Sequence, residues 1–203
     1  NLTANTQQLT YQLYAPSLAK YDKVIVFSDM QAEVLAKLGV KESRLAVIPN
    51  GVDTEIWTPA DPDFKTPKQK EIRDRLGKER IFLYMGRIAT EKNIEALLRA
   101  WKLVEPRGCR LVIVGDGPLR STLENTSLTS NDCDVLWWGY ESDLDTKVAL
   151  LQSAEVFLLP SLVEGLSLAL LEAMATGTAC VATDAGADGE VLEGGAGIVL
   201  STQ

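Results

Sequence analysis

A doubly wound, parallel α/β sheet is the fold this sequence predicts, and three observations predict it. Short runs rich in Val, Ile and Leu recur between residues 81 and 200, the pattern of strands covered on both faces. Helical stretches alternate with those runs, as βαβ units require. Gly or Pro closes most of the runs, where the chain must leave the sheet and turn. The chain has 203 residues, enough to enclose a good hydrophobic core.

Taken in order, residues up to about Lys20 form a plausible helix, polar with scattered Leu and Tyr. Lys23–Phe27 reads as a strand, Ser28 as the cap of a helix to about Leu38, and Gly39 as its end. Leu45–Ile48 is a second strand, and the Asn50-Gly51 pair after it dictates a turn. The proline-rich stretch Trp57–Pro67 reads as a linker, which sets a domain boundary near residue 62. Residues 1–62 would then close one unit and 63–203 form another. Strands follow at 81–86, 110–115, 134–139, 155–160, 179–183 and 197–200, with helices at 91–105, 118–126, 144–153, 167–176 and 187–192.

The composition excludes several functions. A net charge of −8 argues against a nucleic-acid binder that relies on a broad basic surface. The chain has no histidine, so imidazole acid–base chemistry and His metal sites are ruled out within these residues. Cys109, Cys133 and Cys180 are odd in number and widely spaced, which predicts neither a disulfide framework nor a zinc site and suits a reducing compartment. No run approaches membrane-spanning length.

The residues with chemistry to offer fall at strand ends. In a doubly wound sheet, ligands bind outside the carboxyl ends of the strands. Gly86 and Arg87 end the first strand of the alternating region. Lys92 follows on the first turn of the next expected helix, with Thr90 a candidate cap. Arg87, Lys92 and the free N–H groups of that helix end would make a clamp for a diphosphate. Singly, each reads equally as a surface charge, Lys92 being in reach of Glu91 or Glu95. Gly115-Asp116-Gly117-Pro118 offers a tight strand-to-helix turn but not the dinucleotide pattern G-x-G-x-x-G. Tyr140, after the third strand, could lie against a base. Val163–Gly177 holds Glu164 in a Gly-containing loop, Ser167 as a helix cap and Gly177 as the helix end. That helix is apolar nearly all round and is expected to be buried, with Glu172 its one charge. A carboxylate offers only acceptors and a polyol offers adjacent donors, so the two acids suit sugar hydroxyls. A solvent-facing Glu172 is the bland alternative.

The ordered set Pro49–Asp53, Gly86–Lys92, Val114–Pro118, Leu158–Gly165 and the E-x7-E pair Glu164/Glu172 resembles the retaining glycosyltransferases of family four. The resemblance runs from about Lys23 to the end of the chain. It implies the C-terminal, Rossmann-like half of a GT-B fold with a short piece of the N-terminal half, cut short at its own C-terminal end. It implies that Arg87 and Lys92 hold the donor diphosphate, Glu164 meets the donor sugar, Glu172 binds the ribose, and Gly86 and the backbone of Gly165, Leu166, Ser167 and Leu168 touch the donor. All would line one hollow, with Tyr140 beside the base. The expected substrate is a UDP-, GDP- or ADP-linked sugar, passed without a metal or other cofactor to an acceptor sugar, lipid or small molecule, as in polysaccharide biosynthesis. A separate N-terminal domain would supply the acceptor site and a catalytic His. The alternative is a non-catalytic nucleotide-sugar-binding module completed by a partner subunit. No nucleic acid enters either reading. The implied location is cytoplasmic, with peripheral contact at the cytoplasmic face of a membrane left open. Two positions depart from the family: Asn93 stands where Gly is common, and Ala187 takes the second Gly place of the GG-x-x-E loop.

Overall fold

A computed structural model of the chain describes residues 2–63, 65–126 and 134–201; Cys133 lies outside them. The first helix, α1, spans Leu2–Leu18 and leads into strand β1, Val24–Val26. Helix α2 (Asp29–Lys37) starts at Ser28, whose hydroxyl accepts the Gln31 N–H at 3.2 Å, and ends before Gly39 at φ 97°. Strand β2 (Leu45–Val47) lies parallel to β1 in a two-stranded sheet. Ala15, Val24, Val26, Leu35 and Val40 form a small core beneath it.

The stretch read as a linker does more than connect. Trp57 is buried in the main core, and Pro67–Leu76 is a helix, α3. Thr66 caps α3 in a capping box with Gln69, and Pro67 occupies the first turn, where its missing N–H is no loss. The main sheet follows: β3 (Arg80–Met85), β4 (Cys109–Val114), β5 (Val135–Gly139), β6 (Val156–Leu159), β7 (Ala179–Thr183) and β8 (Ile198–Leu200). All pair in parallel, in the order β5-β4-β3-β6-β7-β8. The winding reverses between β3 and β6, so the crevice for ligands opens there, at the carboxyl ends of those two strands. Ile81, Leu83, Leu111, Ile113 and Phe157 are fully buried, as strands sandwiched by helices should be.

The connecting helices are α4 (Ile94–Val104), α5 (Arg120–Glu124), α6 (Leu144–Ser153), α7 (Leu168–Ala175) and α8 (Asp188–Val191). The helix expected over 91–105 is interrupted. Thr90–Lys92 is a 3-10 turn, Asn93 sits in the left-handed region at φ 54°, and α4 begins only after it. Thr90 therefore opens the turn and caps nothing. Asn is the side chain best suited to stand in for Gly in that conformation. At Ala187, φ is −93°, so no glycine is required there; Gly186, at φ 62°, supplies the unusual geometry instead. The helix expected over 118–126 is shorter than predicted, and Pro118 lies in the turn before it.

Candidate functional site

Two loops meet at the point where the sheet reverses. The loop after β3 carries Gly86, Arg87 and Lys92; the loop after β6 carries Glu164. They are joined where the Leu162 N–H donates to the Glu91 carbonyl at 2.7 Å. Across the seam, Lys92 Nζ sits 2.5 Å from Glu164 Oε1, with side chains 20% and 10% exposed. Lys92 thus pairs with neither Glu91 nor Glu95; Glu95 instead pairs with Arg99, one turn along α4. An ion pair this sheltered is weakly screened by solvent, and each partner depends on the other.

Arg87 is held through its backbone. The buried Tyr84 donates its hydroxyl to the Arg87 carbonyl at 2.7 Å, and burial pushes that phenol's pKa up, with Glu164 and Glu91 adding to the effect. The Arg87 side chain is exposed. The β4 turn packs directly beneath: a Cβ on Gly115 would strike the Gly86 carbonyl, and one on Gly117 the Ile88 carbonyl. Both glycines of the Gly115–Pro118 turn are therefore needed for loop-to-loop contact.

Two hollows take up several of the predicted residues. Gly86, Arg87 and Tyr140 line a cavity of about 500 Å³ with Asp116 and Glu141. Lys92, Glu164 and Gly165 line a second, of about 400 Å³, closed on one side by Thr10 and Tyr11 of α1. Glu172 lines neither of these hollows. The Lys92–Glu164 pair bridges the two loops. In the first cavity, burial works against the Glu141 carboxylate, but hydrogen bonds from Asp143, Trp138 and Ser142 prevail and hold its pKa low.

Helix α7 is only partly covered, contrary to the expectation of full burial: Leu170 and Ala173 face the core, whereas Leu168 is 51% exposed. Its cap is as predicted, with the Ser167 hydroxyl accepting the Leu170 N–H and Gly177 at φ 75° beyond its end. Glu172 is half-buried; burial pushes its pKa up, and Lys147 of α6 opposes this in part. The loop before α7 is clamped from both sides. The Gln31 side chain donates to the Gly165 carbonyl at 3.2 Å and that of Asn50 to the Leu166 carbonyl at 2.9 Å. The Ala187 N–H also donates to Gly165, and the Asp188 carboxylate accepts the Ser167 N–H at 2.8 Å. Sequence reasoning missed Tyr84, Gln31, Asn50 as a clamp, and Asp188. For Asp188 the available signal was an acid set among the small residues Ala185, Gly186, Ala187 and Gly189.

Among the described residues no cluster of three or more His, Cys, Asp or Glu could hold a metal ion. None of the described helices is long and apolar enough to cross a membrane.

A reversing parallel sheet with a cation–carboxylate seam at its carboxyl edge makes a Rossmann-like ligand-binding domain. The family model for glycosyl transferases group 1 matches residues 79–203, and the chain belongs to that family. The model for glycosyltransferase family 4 matches residues 4–56. The chain is 32% identical over 185 residues to alpha-monoglucosyldiacylglycerol synthase of Streptococcus pneumoniae, covering 84% of this chain and 41% of the relative. It is 31% identical over 173 residues to an Escherichia coli UDP-Gal:alpha-D-GlcNAc-diphosphoundecaprenol alpha-1,3-galactosyltransferase, covering 80% of this chain and 42% of the relative. It thus spans less than half the length of these relatives. Its fold is similar to that of Anabaena HepE, solved with UDP and glucose, at TM-score 0.77 and 20% identity over 96% of this chain and 53% of that one. It is similar also to sucrose-phosphate synthase of Thermosynechococcus elongatus, at TM-score 0.75 and 24% identity over 95% and 48%.

Proposed function

We propose that this chain supplies the donor-binding part of a retaining glycosyltransferase, which moves a sugar from a nucleotide diphosphate to an acceptor. The observation that carries this is the Lys92–Glu164 seam: the phosphate-type cation and the sugar-type acid, 72 residues apart in sequence, meet at the sheet's switch point. A nucleotide sugar is an elongated anion and would run from one hollow to the other. The base end would lie by Tyr140 and Arg87, the sugar by Lys92, Glu164 and Gly165, and the pyrophosphate between them. Glu172 would meet the ribose. As the glycosidic bond breaks, negative charge grows on the departing phosphate oxygen; Arg87 and Lys92 would stabilise it in the role a metal plays elsewhere. Residues 1–62 would close an acceptor domain and 63–203 form the donor domain. The diacylglycerol and diphosphoundecaprenol in the names of the S. pneumoniae and E. coli relatives support a lipid-linked acceptor for this chain.

Calorimetric titration with UDP, GDP and ADP and their sugars tests the reading. Binding of one of them, weakened in Arg87→Ala and Lys92→Ala, is the expected result. A folded chain that gives no heat with any of them sinks it. A binding-only module would instead hold the donor but transfer nothing, even when the whole protein and an acceptor are present.

A further inference from the structure

Asp188 is fully buried, and its carboxylate is only half satisfied. Oδ1 accepts the Ser167 N–H at 2.8 Å, while Oδ2 is buried without a hydrogen-bond partner among the described residues. A buried carboxylate oxygen left unpaired is expensive, and packing has to hold it in place. The turn that carries Asp188 is pressed against the Glu164–Ser167 loop at two further points. The Ala187 N–H donates to the Gly165 carbonyl at 2.8 Å, and Gly186 lies so close to the Glu164 carbonyl that a Cβ there would collide with it. Ser167 is also the cap of α7. A shift at Asp188 therefore reaches both the helix start and the backbone of Glu164.

We propose that Asp188 is a positioning residue for the donor site: it fixes the Glu164–Ser167 loop through the Ser167 amide and sets the charge behind the Lys92–Glu164 pair. The inference rests on the donor-binding reading for its functional consequence, though not for the loop contact itself. The charged groups around Asp188 are Glu164 and Lys92 across the crevice, and Asp184 and Glu190 on its own turn. Burial foremost, with Glu164 adding to it, raises its pKa to about 6; the Ser167 hydrogen bond and Lys92 act the other way. Ionised Asp188 places a second negative charge beside Glu164, at the wall of a site meant for a pyrophosphate. Protonation removes it, so an anionic donor should bind several-fold more tightly as pH falls through about 6.

Two measurements on the whole chain test this. The first needs no ligand. The Ser167 amide resonance should move in one step with a midpoint near 6 in the wild type and stay flat in Asp188→Asn. The second follows the binding of UDP-glucose, GDP-mannose and ADP-glucose, whose pyrophosphate diesters do not titrate near neutrality. Asp188→Asn, which keeps an acceptor for the Ser167 amide, should bind without the pH step. Asp188→Ala, which loses the acceptor, should bind roughly ten-fold more weakly. A Ser167 resonance that ignores pH in a folded chain overturns the proposal, as does an Asp188→Asn variant that retains the wild-type step. A Ser167 step present in the wild type and absent in Asp188→Asn, with no donor bound at any pH, upholds the loop linkage and defeats the donor reading instead.

Discussion

The Lys92 ammonium and Glu164 carboxylate neutralise each other in the unliganded chain. On the proposed donor-binding reading, a diphosphate would have to draw Lys92 away from that partner. Removing the acid's charge should therefore help the diphosphate and harm the sugar: Glu164→Gln is expected to bind the plain nucleoside diphosphate more tightly than wild type while losing its preference for the sugar-bearing form. Competition calorimetry with the two ligands reads both effects. Glu172→Ala should weaken a nucleoside diphosphate while leaving the affinity for inorganic pyrophosphate nearly unchanged. Asp188 makes a stability prediction of its own. Its pKa lies near 6 in the folded chain against an ordinary 3.8, so between those values the folded chain holds a proton that the unfolded chain has lost. The contribution of this group to stability therefore falls as pH rises across that window. Asp188→Asn should exceed wild type by up to about 3 kcal/mol at neutral pH, with the gap closing as pH falls toward 4, by urea unfolding.

Helix boundaries and loop contacts control where those side chains stand. The 3-10 turn at Thr90–Lys92 and the left-handed Asn93 aim Lys92 back across the crevice, away from the path it would take on a continuous helix. Asn93→Gly should preserve that bend and leave stability within about 0.5 kcal/mol of wild type, whereas a β-branched residue there should cost more than about 1 kcal/mol. Gly117 meets the Ile88 carbonyl in the middle of the same loop. Gly117→Ala should force the two turns apart, lowering the melting temperature and weakening nucleotide binding together. On the other side of the seam, Ser167 caps α7 with its hydroxyl and is tied to Asp188 by its amide. Ser167→Ala removes only the first contact and should cost about 1 kcal/mol by thermal unfolding.

Across the whole molecule, one topological fact organises the site. Because the order β5-β4-β3-β6-β7-β8 reverses between β3 and β6, a cleft opens at the carboxyl ends of those strands, and the loops that follow them touch where the Leu162 N–H donates to the Glu91 carbonyl. The small β1–β2 unit closes on that cleft: Gln31 and Asn50 hold the backbone of Gly165 and Leu166, and the Phe27 ring lies against Gly165. A donor that binds only the folded chain should stabilise it by about 2.7 kcal/mol at a hundred-fold excess over its dissociation constant. Differential scanning fluorimetry across the nucleotide sugars would rank them by that shift.

The sequence by itself determined the alternation of strands and helices, the parallel sheet, the Ser28 and Ser167 caps and the placement of Arg87, Lys92 and Glu164 at strand ends. Those features follow from local periodicity, capping chemistry and the rule for where a doubly wound sheet binds ligands. Helix α3 is encoded locally too, in the Thr66–Gln69 capping box, but the prolines just before it have the composition of a linker. Only the tertiary structure decided the partner of Lys92, the partial exposure of α7 and the burial of Asp188. Each is a contact between segments far apart in the chain, and such contacts are set by how loops pack across the crevice, which no local pattern of residue types encodes.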